Sequence, residues 1–183
     1  MKSVLLLLLL LAACKRPEPA PAAGDRAGLG ACRSLMFEGD RFTVCRAGGT
    51  RLELWTSERT GPPLRSFVAL EQVLRERAGD VLFAMNAGMF DDAGKPIGLA
   101  VSEGWEAMPI NRRTDGGGNF HMQPNGVFLV RKDGRAEVVT TSAFKPADDI
   151  RLATQSGPML VVDGRLNPRF DADGRSRYVR NGV

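Results

Sequence analysis

From residue 81 onward, the apolar residues of this chain fall in short runs separated by Gly, Asn and Asp, such as "IGLAVSEG", "NGVFLVRKDG" and "PMLVVDGRL". Apolar runs of this length between turn-forming residues are typical of β-strands and too short for most helices. The turns at Lys132-Asp133-Gly134 and Asp163-Gly164 predict two antiparallel hairpins. Residues 81–85, "VLFAM", predict a further buried strand.

One segment has helical spacing instead. Phe67, Leu70, Val73 and Leu74 recur on one face of "SFVALEQVLRERAGD", where Ser66 can cap the first turn and the glycine near the end can close the last. The predicted helix covers about residues 66–78. With one main helix among many short strands, the chain is expected to form a strand-rich single domain of the α+β class, with several antiparallel hairpins.

The first 31 residues have a different composition from the rest. Lys2 precedes a leucine run that is too short to span a bilayer, and "LAAC" ends at Cys14. This segment resembles a bacterial lipoprotein signal with Cys14 as the lipidated residue. The sequence therefore predicts a signal peptide at 1–13, a tether rich in Pro, Ala and Gly at 14–31, and one domain at 32–183. The expected location is the bacterial cell envelope, with the lipid anchor in the outer membrane facing the periplasm or the outside.

Export would place the two remaining cysteines, Cys32 and Cys45, in an oxidising compartment. The residues between them read as two short strands around Glu38-Gly39-Asp40, so a disulfide across a hairpin is expected, with two buried free thiols as the alternative. A second hairpin is predicted around "AGGT", residues 47–50. A metal site is not expected, because the chain has one His, and the sequence implies no cofactor while leaving a metal requirement open.

The net charge of +4 is modest, and the arginines are interspersed with acidic residues. Nucleic-acid binding surfaces concentrate Lys and Arg on one face or along one helix. Nucleic acid is therefore not an expected partner.

Three polar, glycine-rich segments connect the predicted strands: "NAGMFDDAGKP", "NRRTDGGGNFHMQPNG" and "ATQSGP". Each places an amide side chain within two residues of a Gly, and these amides include Asn86, Asn119, Asn125 and Gln155. Asn next to Gly is also ordinary turn chemistry, so these residues either form turns or present polar groups to a ligand.

At these segments the chain resembles the phosphodiester glycosidase family, relatives of the lysosomal uncovering enzyme, and especially its small bacterial exported members. The resemblance covers about residues 32–183 and implies hydrolysis of a sugar-1-phosphodiester in glycans or glycoconjugates, with a sugar phosphate or glycan as the partner. It implies that Arg180, in "RNGV", contacts the phosphate, since a guanidinium matches two phosphate oxygens. The other substrate-binding residues that it implies are Asn86, Gly88, Phe90, Asn119, Gln155, Ser156 and Gly157.

Family members usually continue beyond the "RNGV" position to a segment like "ALNLDGG", whose Asp is a candidate for catalysis. No such pattern follows a helix in this sequence, so the chain is expected to be C-terminally truncated and its catalytic residue is unknown. Asp91, Asp92 and Asp115 are other carboxylates near the glycine-rich segments, although each also suits a solvated turn. The alternative function is a glycan-binding module without catalysis, or an inactive gene fragment.

Overall fold

Nine β-strands and one α-helix form the part of the chain that the computed structural model describes, residues 31–57, 61–171, 173–174 and 178–183. This architecture confirms the predicted strand-rich α+β class. Two 3-10 helices, at Arg75–Asp80 and Asn119–His121, accompany them. In chain order the elements are β1 Cys32–Phe37, β2 Asp40–Cys45, α1 Phe67–Leu74, β3 Ala100–Ser102, β4 Trp105–Met108, β5 Gly126–Arg131, β6 Ala136–Thr140, β7 Ile150–Ser156, β8 Val161–Val162 and β9 Arg165–Leu166.

The central sheet has five antiparallel strands in the order β4-β3-β7-β5-β6. Strand β7 lies between β3 and β5, although β3 precedes it by about 50 residues. In this register Gly126 pairs with Ser156 and Ala100 pairs with Thr154. The start of β3, the start of β5 and the end of β7 therefore meet at one end of the sheet.

One face of the sheet carries the main hydrophobic core. Val127 and Ala153 have no exposed surface, and Leu129 is 2% exposed. These side chains share a face because alternate residues of a strand point the same way. The rest of the cluster comprises Leu99, Val101, Phe144 and Ile150, with Ile110 and Val139 packed against it.

Three two-residue turns among the described residues have a shared sequence signature. In β1–β2 the turn is Glu38-Gly39, in β3–β4 it is Glu103-Gly104, and in β8–β9 it is Asp163-Gly164, and both residues of each turn have positive φ. Such turns match the twist of the flanking strands, and Gly at the second position adopts this conformation without strain. The hairpins predicted at Lys132-Asp133-Gly134 and Asp163-Gly164 are both confirmed.

The predicted disulfide is confirmed. Cys32 and Cys45 are the terminal partners of the β1–β2 ladder, and their sulfur atoms are 2.05 Å apart. The disulfide therefore closes the open end of this two-stranded hairpin, opposite its Glu38-Gly39 turn.

The helix begins as predicted but is shorter. Ser66 caps it, because its Oγ accepts a hydrogen bond of 3.1 Å from the backbone N–H of Ala69. The α-helix ends at Leu74, and the chain continues to Asp80 as a 3-10 helix. Of the predicted apolar face, Leu74 is buried whereas Phe67 is 58% exposed.

Two strand predictions are wrong. Residues 81–85 form no strand, and Val81, Leu82 and Met85 are exposed. Residues 51–55 form no strand either: the turn at Ala47–Thr50 is present, but the chain beyond it contacts the sheet through carbonyl groups of Leu52 and Leu54. An apolar run becomes a strand only when a neighbouring strand takes up its backbone hydrogen bonds, and no neighbour among the described residues does so here.

The predicted signal peptide, the lipidated Cys14 and all of the predicted tether except its last residue, Ala31, lie outside the described residues. Within the described residues, no helix combines the length and apolar character needed to cross a bilayer.

Candidate functional site

Three loops meet at the end of the sheet where β7 finishes. They comprise residues 86–98, 111–125 and 155–158, the last of which begins with the final two residues of β7, and we call them the three-loop site. The backbone N–H of Met89 donates to the carbonyl of Gln155 over 3.4 Å, which joins the first loop to the third. The first loop is closed on itself by a 3.0 Å hydrogen bond from Ile97 N–H to Met89 O.

Glycines lie where these loops touch. A Cβ added to Gly157 would lie 2.6 Å from the carbonyl oxygen of Phe120 and 2.9 Å from that of Asn119. A Cβ added to Gly88 would lie 2.9 Å from the carbonyl oxygen of Gln155 and would overlap the Thr154 hydroxyl. No side chain fits at either position, so these glycines permit the backbone contacts that bring the loops together. The structure therefore places Gly88 beside Gln155 and Gly157 beside Asn119, while the predicted binding of substrate by these residues stays a prediction.

Four of the predicted residues present exposed side chains. Asn86, Asn119 and Ser156 are exposed, and Phe90 is 54% exposed. Amides and hydroxyls of this kind can donate hydrogen bonds to sugar hydroxyls and accept hydrogen bonds from them. Their predicted contact with substrate stays a prediction, and the structure leaves the side chains accessible for it.

Gln155 differs from these residues because it is buried, with 1% of its surface exposed. Its amide makes four hydrogen bonds within the protein, which is the full capacity of a glutamine side chain. The contact of Gln155 with substrate stays a prediction. In this arrangement the amide has no donor or acceptor left for a substrate, because all four are used within the protein.

Arg180 lies in the described C-terminal segment, residues 178–183. Its guanidinium carbon is 5.3 Å from the ring centroid of Tyr178, a cation–π geometry. A Cβ at Gly182 would lie 3.7 Å from a methyl carbon of Leu160, so this segment passes close to the start of the β8–β9 hairpin. The predicted phosphate contact of Arg180 stays a prediction.

The second loop curls around the imidazole of His121. The Nδ1 atom of His121 is 3.0 Å from the carbonyl oxygen of Gly117 and must carry the proton, because a carbonyl only accepts. In the neutral ring, Nε2 is then the acceptor. A Cβ at Gly116 would overlap the His121 ring, so only Gly allows this close approach.

Two of the three predicted carboxylates near the site, Asp91 and Asp115, make local contacts. Asp91 Oδ1 accepts a 2.9 Å hydrogen bond from the backbone N–H of Lys95, and Asp115 forms a 3.2 Å ion pair with Arg113. The hydrogen bond from Arg113 lowers the pKa of Asp115 below its usual value, so Asp115 is ionised at neutral pH and is not a proton donor. Across the described parts of the chain, no group of three or more His, Cys, Asp or Glu side chains could hold a metal ion.

Sequence reasoning missed three residues that hold the loops in place. Asn111 and Thr141 bond to Gln155, while Arg112 donates to the carbonyls of Thr141 and Phe144 over 2.5 and 3.0 Å. Polar residues in a loop give no sequence signal of such long-range contacts.

The fold and the three-loop site together define a strand-rich α+β domain that presents amides, a hydroxyl and glycine backbone at one end of an antiparallel sheet. Residues 79–183 match the model of the phosphodiester glycosidase family. The chain belongs to this family, and the match includes all three loops.

A relative in Escherichia coli K12, the uncharacterized protein YigE, is 41% identical over 105 residues. This similarity covers 57% of the present chain and 41% of YigE, so the chain spans less than half the length of that relative. No solved structure matches the chain.

Proposed function

We propose that this protein is a phosphodiester glycosidase that hydrolyses a sugar-1-phosphodiester and releases the sugar from its phosphorylated carrier. Family membership supports the reaction class. The observation that carries the proposal is the contact of Gly88 with Gln155 and of Gly157 with Asn119 and Phe120, because it gathers the three loops at one place.

The chemistry of these loops suits the two halves of such a substrate. The exposed side chains of Asn86, Asn119 and Ser156 are suited to sugar hydroxyls. Backbone N–H groups beside glycines can approach phosphate oxygens closely, and the guanidinium of Arg180 is suited to two of those oxygens. A phosphate is also a good leaving group, which reduces the need for a proton donor.

Replacing Asn86 by Ala tests the assignment of the sugar site. Asn86 is exposed, so Asn86→Ala should change the free energy of unfolding by less than about 0.5 kcal/mol. If it bonds the sugar, kcat/KM should fall roughly 5- to 150-fold, the equivalent of about 1–3 kcal/mol for a substrate group left without its partner. Turnover of an aryl diester of N-acetylglucosamine-1-phosphate is the measurement.

Gln72→Ala is the matched control for Asn86→Ala. It removes an exposed amide from helix α1, outside the residues that match the family, and should change neither quantity. Equal kcat/KM values for wild type, Asn86→Ala and Gln72→Ala would remove Asn86 from the proposed site.

A second candidate function, glycan binding without catalysis, is favoured by the state of two of the three predicted carboxylates, Asp91 and Asp115. Asp91 closes its own turn and Asp115 is paired with Arg113, so neither is poised at the three-loop site as a free acid or base. Calorimetry with N-acetylglucosamine-1-phosphate, together with the turnover assay, separates the two candidates: binding without turnover supports the second.

We further propose that the protein is exported and anchored to the bacterial outer membrane through a lipid on Cys14. The motif "LAAC" after a short leucine run supports this. A tether of 17 residues, from Lys15 to Ala31, would then separate the lipid from the domain.

The lipid anchor predicts the behaviour of a Cys14→Ser variant. The wild type should fractionate with membranes and show an intact mass larger than that of the unmodified mature chain. Cys14→Ser should lose both the mass increase and the membrane association, because a lipid anchor would be the main attachment. An unmodified Cys14 in the exported wild-type protein would contradict the proposal.

A further inference from the structure

A single buried side chain, that of Gln155, bonds three separate segments of the chain. Its Oε1 accepts from the backbone N–H groups of Leu99 and Asn111, each over 3.0 Å. Its Nε2 donates to the carbonyl of Asn111 over 2.7 Å and to the hydroxyl of Thr141 over 3.0 Å. These partners lie directly before β3, in the second loop and directly after β6.

The side chain of Gln155 bonds the backbone of Asn111 in the way that a neighbouring strand would. The amide donates to one backbone group of Asn111 and accepts from the other, as an adjacent strand would do. Half-buried backbone groups need such partners, and Asn111 belongs to no strand. The second loop is thus held to the end of β7 by a side chain.

The side chain of Asn111 makes two further hydrogen bonds, which connect the second loop to the first and fix its following residues. Its Nδ2 donates to the carbonyl of Ile97 and its Oδ1 accepts from the N–H of Arg113, each over 3.0 Å. The first bond reaches the end of the first loop, and the second fixes the residues that lead into Gly116 and His121.

The backbone of Gln155 joins the first loop as well. Its N–H donates to the carbonyl of Leu99 over 2.9 Å, and its carbonyl accepts from Met89. The packing around the amide is close, since a Cβ at Gly98 would lie 2.7 Å from Cζ of Phe120 and would overlap Oε1 of Gln155.

We infer that Gln155 is a positioning residue, which sets the placement of the second loop relative to the first and third while the exposed side chains contact the substrate. The effect of Gln155 on catalysis rests on the proposed function. The structural content of the inference is independent of that function: loss of the amide should release the second loop without unfolding the sheet.

Three substitutions should release the loop to different extents. Thr141→Val removes one of the four hydrogen bonds. Gln155→Glu keeps the acceptor for Leu99 and Asn111 but cannot donate to the Asn111 carbonyl when ionised. Gln155→Leu removes all four bonds at similar volume. Leu152→Ala is the control, because this side chain on β7 is buried but apolar and makes no hydrogen bond to the loops.

Amide hydrogen exchange is the first measurement, and it needs no substrate. In Gln155→Leu the N–H groups of Leu99 and Asn111 should exchange about tenfold or more faster relative to those of Val127 and Leu129 in β5, with smaller ratios in Gln155→Glu and Thr141→Val. In Leu152→Ala the exchange rates of all four of these N–H groups should rise by a similar factor. The inference would be overturned if, in the Gln155 and Thr141 variants, exchange rose equally at the loop and β5 amides or did not change at either. If Gln155→Leu does not fold, the other two variants still decide.

Turnover of the diester used for Asn86 is the second measurement. The variants with the larger exchange ratios should show the larger falls in kcat, because the reacting groups are misplaced. KM should change less than about threefold, because the exposed side chains still bind substrate. A rise in KM at constant kcat would make Gln155 a substrate ligand and overturn the inference. A wild-type protein without turnover would contradict the proposed function alone, and exchange would then decide the role of Gln155.

Discussion

Gly157→Ala is expected to lower the free energy of unfolding by about 3 kcal/mol, the upper end of what an added methyl group costs in a packed site. The new Cβ would lie 2.6 Å from the Phe120 carbonyl oxygen and 2.9 Å from that of Asn119. Both are backbone atoms, which cannot rotate away as a flexible side chain would. The second loop must therefore move as a unit, and the site should lose activity together with stability.

Gly117→Ala is the control for this experiment. Gly117 lies in the same loop, but nothing approaches its Cβ position within 4 Å, and its φ is not in the left-handed range. Gly117→Ala should change the free energy of unfolding by no more than about 0.5 kcal/mol. Thermal and urea unfolding of both variants provide the comparison, and a Gly157→Ala protein as stable as wild type would mean that these loops do not touch.

Removal of the disulfide should act locally rather than on the whole fold. Two-stranded hairpins are marginal on their own. Strands β1 and β2 are largely exposed, with Met36 and Phe37 each 59% exposed, and the Cys32–Cys45 bond closes the open end of their ladder. In the Cys32→Ser, Cys45→Ser double variant, hairpin amides should exchange about a hundredfold faster, which corresponds to about 3 kcal/mol for a disulfide of this kind.

The amides of β5 serve as the internal control in the same protein. Val127 and Leu129 lie in the central core, away from the hairpin, and their exchange should stay within about threefold of wild type. The melting temperature of the central sheet should likewise change little. If hairpin and core amides lose protection equally, the disulfide stabilises the whole domain, as for native bridges in many small secreted domains.

The parts of the fold that were predictable from sequence are those fixed by neighbouring residues. Asp163-Gly164 specifies a two-residue turn because both residues tolerate positive φ, and Ser66 caps a helix through an atom three residues away. The pairing of Cys32 with Cys45 follows from a hairpin between them. In each case the partners are close in sequence, so local pattern contains the information.

The parts that were not predictable depend on partners far apart in the chain. Residues 81–85 have the composition of a core strand but lie exposed, because pattern does not reveal whether a neighbouring strand exists. Gln155 was predicted as a substrate ligand because the family resemblance at "ATQSGP" implied it. Its bonds to Leu99 and Asn111 span 56 and 44 residues, and no local feature distinguishes an amide that binds loops from one that binds sugar.

The arginines of this chain also restrict how its sequence can diverge. Arg112 joins the carbonyls of Thr141 and Phe144, Arg131 joins Glu137 and Asp149, and Arg151 joins the Leu52 carbonyl and Glu103. A guanidinium spans two separate acceptors because its donors point in fixed directions, whereas a lysine ammonium is a single point of charge. Lysine is the usual evolutionary replacement for arginine on a protein surface. At Arg112 and Arg131, where different nitrogens make the two bonds, lysine would preserve the charge and lose half of each connection. At Arg151 one nitrogen makes both bonds, so this restriction does not apply there. Mutational drift between arginine and lysine should therefore be restricted at Arg112 and Arg131 and free at arginines that make no such bridge.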